Sequence, residues 1–92
     1  MTEEKILTAL DEFFTVNRAE MIADTAALVS INSVRSAPAE GRPFGDGCAK
    51  ALDAAGEILK KHGFCTQNHN YYFLTAESCP EAGEAALGIL AH

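Results

Sequence analysis

Apolar residues near the start of the chain recur at Ile6, Leu7, Leu10, Phe13 and Phe14. A second group follows at Met21, Ile22, Leu28 and Val29, with Thr25 on the same face. Recurrence at three and four residues predicts amphipathic helix. Thr2 stands where an N-cap belongs, and Glu3 and Glu4 sit at the positive end of the first turn. Thr15 and Val16 are weak helix formers, and Asn17-Arg18-Ala19-Glu20 reads as a capping box. Two helical segments with a break near Val16 are therefore expected. Leu7, Phe14, Met21 and Leu28 keep a seven-residue spacing, so the segments can run nearly collinear, and one long helix is the rival reading.

From Ser30 to Asp46 the periodicity disappears, and "SAPAEGRPFGDG" reads as a long connection. A further amphipathic helix is expected from Gly47 to His62, with Cys48, Leu52, Ala55 and Leu59 on one face. Lys60, Lys61 and His62 suit its negative end, and Gly63 suits a left-handed cap. Strand formers then dominate at Phe64–Gln67 and Tyr71–Thr75, with "NHN" as a turn signal between them, which predicts an antiparallel hairpin. After a polar loop over Glu77–Glu84, the run Ala86–Ala91 is continuously apolar, as in a strand covered on both faces. The class is α/β: helices, then a hairpin, then a central strand of a mixed sheet. A strand covered on both faces needs a layer on each side. Three helices and three strands are too few to provide both, so the opening portion of a larger α/β domain is expected.

Composition narrows the function. Thirteen acidic residues against seven basic ones give a formal net charge of −6, the wrong sign for a nucleic-acid partner. No apolar run reaches the length of a membrane span, and the acidic start MTEEK is unlike a secretory signal. Cys48, Cys65 and Cys79 are odd in number and lack C-x-x-C spacing, which predicts free thiols and a cytoplasmic location.

Candidate chemistry is sparse. "GRPFGDG" has neither G-x-G-x-x-G nor G-K-[ST] spacing and follows no strand, so a turn entering a helix is preferred to a phosphate cradle. No G-x-S-x-G elbow is present. Cys65, His69, Cys79 and His92 have zinc-binding side chains but not the paired close spacing of a finger or ribbon. Arg35 and Arg42 flank the long loop and are candidate carboxylate binders, although solvated loop charges are the preferred reading. His62 reads as a helix-end residue facing the dipole. His92 differs in position, because it ends the expected central strand, where α/β sheets place their ligands.

Three blocks in order, "MIADTAALVSINSVRS", "RPFGDGCAKALDAAGEILKKHGFCTQN" and "LGILAH", together resemble the N-terminal part of clan MH zinc metallopeptidases. The resemblance runs from about Phe14 to His92. It is nearest to the bacterial Xaa-His (carnosinase-like) dipeptidases, within the family of aminoacylases, dipeptidases and succinyl-diaminopimelate desuccinylases. There, P-[FV]-G-x-G precedes the second helix, and LG-[IV]-L-x-H is followed by an aspartate two residues on. The resemblance implies a catalytic domain with two zinc ions at its strand ends, one of them held by the histidine that His92 matches. It also implies that the other ligands, the general-base glutamate and a lid domain lie further along.

Residues 1–92 are accordingly expected to be an incomplete catalytic domain of a di-zinc dipeptidase, inactive alone and holding no tight zinc. The implied substrate is a dipeptide or an N-acyl amino acid, since a deacylase or desuccinylase fragment is a second enzymatic reading. A non-enzymatic alternative is a small α/β binding module that self-associates through its terminal strand. No nucleic-acid or membrane partner is expected.

Overall fold

The computed structural model describes residues 2–78 and 87–92. Two helices precede a β-hairpin: α1 (Glu3–Val29), α2 (Asp46–Lys61), β1 (Cys65–Asn68) and β2 (Leu74–Glu77). The α/β class and the hairpin agree with the sequence pattern. The expected break near Val16 does not occur, because α1 runs unbroken for 27 residues, about 40 Å at 1.5 Å per residue.

The polar side chains of α1, among them Thr15 and Asn17 at the expected break, instead serve its own backbone. The Thr8 hydroxyl donates to the Glu4 carbonyl, Thr15 to Asp11 and Thr25 to Met21. Asn17 Nδ2 donates to the Phe13 carbonyl at 2.9 Å, so Asn17 caps nothing. Bonds of this i→i−4 kind let polar residues ride on a helix without ending it. The true N-cap is Thr2, whose hydroxyl accepts from the Lys5 amide. Ser30 closes the other end, its amide donating to the Ala26 carbonyl and its hydroxyl to that of Ala27.

The α2 helix lies within one residue of its expected bounds at either end. Gly63, at φ +89°, donates to the Lys60 carbonyl while the Phe64 amide donates to that of Leu59. This pair of bonds is the Schellman closure that turns the chain into β1. The hairpin is antiparallel, with Cys65 opposite Glu77 and Asn68 opposite Leu74. Its strands are displaced from the expected ones because the turn is longer than "NHN". Asn70 and Tyr71 both adopt positive φ, and the His69 amide bonds the Phe73 carbonyl at 2.8 Å. Tyr71, Tyr72 and Phe73 thus belong to the turn despite their strand propensity.

Among the described residues, burial is confined to α2 and its N-cap, Gly45. Ala49 is the only buried hydrophobic residue among those described, with Gly45 and Gly56 buried beside it. Leu52 and Leu59 are half-buried on the same side, and Leu52 and Gly56 border a shallow depression shared with Thr66 and Leu74 of the hairpin. No residue of α1 is buried. Its least exposed side chains are the polar Asn17 and Asp24, while Leu7, Phe13 and Ile22 each remain more than half exposed.

The Leu87–His92 segment forms no strand and is exposed throughout, with Leu90 fully accessible. This corrects the expected central strand over Ala86–Ala91; Ala86 itself, like most of the Glu77–Glu84 loop, lies outside the described residues. A lone strand leaves its amides and carbonyls unpaired, and among the described residues β1 and β2 pair only with each other.

Candidate functional site

The long connection is tightly tied in spite of its irregular sequence. The Ser36 amide donates to the Phe44 carbonyl at 2.9 Å, and Ala39 and Arg42 exchange a pair of bonds. Both glycines of "GDG" and its preceding turn are sites of close approach. A side chain at Gly45, already at φ +93°, would strike the Ser36 hydroxyl, and one at Gly47 would strike the Asn32 carbonyl oxygen. The Cys48 thiol donates to the Ser33 carbonyl at 3.1 Å. The glycines therefore clear space for backbone, in keeping with a turn into a helix rather than a phosphate cradle.

The two candidate carboxylate-binding arginines have other engagements. Arg42 pairs through Nε with Asp46 at 2.9 Å, and the Arg35 guanidinium stands over the Phe44 ring, 5.1 Å from its centroid. Phe44 in turn meets the edge of Tyr72 at 5.6 Å between centroids. The Tyr71 hydroxyl donates to Asp53 of α2 at 2.8 Å, and the carboxylate raises the phenol pKa above its ordinary value. These contacts join loop, hairpin turn and α2 into one unit.

The four zinc-type residues considered together in the sequence do not form a described group. His69 stacks on Phe73 at 4.3 Å and its Nε2 lies 2.9 Å from the Thr75 hydroxyl. Cys65 is exposed on β1, and Cys79 lies outside the described residues. His92 ends the exposed terminal segment.

A different cluster, not anticipated from sequence, lies between the helices. Glu20 and Asp24, one turn apart on α1, meet His62 at the end of α2, with candidate ligand atoms all within 4.8 Å of one another. His62 Nε2 is 3.0 Å from Asp24 Oδ2 and 3.7 Å from Glu20 Oε1. Lys61 completes the group, its ammonium 2.6 Å from Asp24 Oδ1 and 3.3 Å from Glu20 Oε1. The Lys61 hydrogen bond, followed by that of His62, holds the Asp24 carboxyl below its usual pKa, and Asp24 in turn raises that of Lys61. The only advance signal was the i,i+4 acidic pair on α1. Sequence placed His62 at the helix end correctly but could not reveal which carboxylate its ring would meet.

No family model matches the chain, and neither a curated protein nor a solved structure matches it. The peptidase resemblance thus stands on the three quoted blocks.

Two zinc ions, as the resemblance implies, would need about three protein ligands each. Among the described residues, the sole cluster of metal-ligand type is Glu20, Asp24 and His62. Its negative charge is already met by the Lys61 ammonium, which opposes a dication at that place. His92 offers a single imidazole, whereas a catalytic zinc needs about three protein ligands. The residues present do not fit a two-zinc centre. The depression between α2 and the hairpin, about 120 Å³ and lined by Leu52, Asp53, Thr66 and Leu74 among others, is far below a substrate pocket of several hundred cubic ångströms. A larger depression runs along the exposed first turns of α1 and contains no cluster of catalytic type. Among the described residues, no helix is long and apolar enough to cross a membrane.

Proposed function

We propose that this chain is the N-terminal portion of a cytoplasmic, carnosinase-like dipeptidase of the clan MH type, with no hydrolytic activity of its own. In this reading α2, the hairpin and the tied loop form a scaffold against which further polypeptide completes the catalytic domain. His92 is the one residue assigned to metal binding, and dipeptides or N-acyl amino acids are the substrates of the completed enzyme. The observation that carries the reading is the unfilled apolar surface. Leu7, Phe13, Ile22, Leu87, Ile89 and Leu90 all remain more than half exposed, and Ala49 alone is a buried hydrophobic among the described residues. Exposed apolar side chains in this number support a reading in which other polypeptide covers them.

The test is an in-frame fusion to the downstream part of a carnosinase-like dipeptidase, beginning after its matching histidine. Chelator-sensitive dipeptide hydrolysis is expected from the fusion, with loss of activity and of one zinc equivalent in His92→Ala. A well-folded fusion that binds no zinc, or one indifferent to His92→Ala, would refute the assignment.

The same exposed surface also supports a non-enzymatic, self-associating module. Sedimentation of the isolated chain tests this second reading. A discrete, saturable dimer with cooperative unfolding favours it, and a monomer at high concentration eliminates it.

A further inference from the structure

The contact between α1 and α2 has an unusual make-up. No side chain of α1 is buried, and its less exposed residues are polar. Where the helices meet, Glu20 and Asp24 of α1 face Lys61 and His62 of α2. A charged contact takes the place that apolar packing normally occupies between helices. The chain after α1, by contrast, is fixed to α2 by other means. Gly47 abuts the Asn32 carbonyl, Cys48 bonds the Ser33 carbonyl, and Ser36 bonds Phe44. The Ser30 and Ile31 amides still bond the last turn of α1, so freedom to pivot is confined to the link between Ile31 and Asn32.

We propose that the Glu20–Asp24–Lys61–His62 network is an electrostatic latch that sets the angle of α1, and that its release turns α1 into a rigid arm hinged at residues 31–32. The arm spans about 40 Å, so a modest rotation at the hinge sweeps Leu7, Leu10 and Phe14 across a wide arc. Lys61 is the centre of the latch, because its single ammonium contacts both α1 carboxylates. His62 reinforces it on the second oxygen of Asp24. These pairs are partly exposed, so salt weakens them. The remaining contacts of α2 with loop and hairpin do not depend on the network.

Amide ¹⁵N relaxation of the full chain reads the device directly. At low ionic strength, α1 and α2 are expected to share one rotational correlation time. In Lys61→Met and Asp24→Asn the two helices are expected to separate into distinct values, with hairpin amide shifts unchanged. Lys61→Arg retains the common value, and the exchange Asp24→Lys with Lys61→Asp restores it. In the unaltered chain, 1 M NaCl moves α1 in the same direction as Lys61→Met. Common tumbling that survives Lys61→Met and Asp24→Asn would overturn the latch. So would independent tumbling of α1 in the unaltered chain at low salt. Collapse of the hairpin signals along with α1 would also overturn it, since the network would then support the whole fold.

Discussion

Replacing Gly47 and Gly56 by alanine makes a matched pair within one helix. A methyl group at Gly47 meets the Asn32 carbonyl oxygen in hard overlap and approaches the Asn32 carbonyl carbon and Ser33 Cα. These are backbone atoms, so no rotamer change relieves the clash and residues 32–33 must withdraw. Overpacking of this kind destabilises by about 1–3 kcal/mol. The helix-propensity gain of alanine over glycine, up to about 1 kcal/mol, offsets part of it. The net expectation for Gly47→Ala is a loss of roughly 1–2 kcal/mol. At Gly56 the same methyl lies 3.8 and 3.9 Å from the Leu74 methyls, an ordinary contact in a helix interior. There the propensity gain stands unopposed, and Gly56→Ala is expected to stabilise by about 0.5–1 kcal/mol. Thermal unfolding followed by helical circular dichroism reads both changes, at about 4–8 °C per kcal/mol for a domain of this size. Alkylation of Cys48 provides a local reading, because withdrawal of Ser33 frees its thiol. Its rate in Gly47→Ala is expected to approach that of exposed Cys65. If Gly47→Ala proves as stable as Gly56→Ala, with Cys48 still protected, the steric account of the "GDG" turn is wrong.

Absorbance titration of the tyrosines is expected to show Tyr71 ionising above the ordinary phenol range, and Asp53→Asn to bring it back, since the Asp53 carboxylate is the main cause of the shift. The edge contact between Phe44 and Tyr72 is expected to give a coupling of about 0.5–1.5 kcal/mol in a double-mutant cycle to leucine; a coupling near zero would dissolve the proposed unity of loop and turn. For Asp24, whose pKa is depressed, the contribution to α1 docking is present above the ordinary carboxylate range and lost as pH falls through the depressed value. For Lys61, whose pKa is raised, it is present below the ordinary ammonium range and lost as pH rises through the raised value. Docking followed by relaxation is thus expected to be insensitive to these two groups between those limits, and a transition of either group near neutrality would contradict the assignment. Zinc titration of the isolated chain is expected to reveal no one-to-one submicromolar site, and Lys61→Met is expected to raise whatever weak affinity Glu20, Asp24 and His62 have, by removing the opposing charge.

What could be read from the amino-acid order was whatever depends on neighbours within a turn or two. The bounds of α2 and its glycine closure follow from an amphipathic period with Gly63 at its end. The hairpin and the cap at Thr2 are equally local. The same local logic misjudged Val16, because Thr15 and Asn17 had two backbone options, a cap or an i−4 bond, and propensity does not rank them. Propensity alone places Tyr71 in a strand. A tertiary hydrogen bond to Asp53, 18 residues away, accompanies its positive φ in the turn instead. The interhelical cluster was beyond local reading altogether, since His62 and Asp24 are 38 residues apart and meet only through the path of the intervening loop. That path depends on Gly45 and Gly47 having no side chain where Ser36 and Asn32 come close. Periodicity along the chain decides which residues share a face; only the three-dimensional course of the backbone decides what, if anything, that face meets. For α1 it meets charge rather than an apolar core, and its hydrophobic side chains remain in solvent.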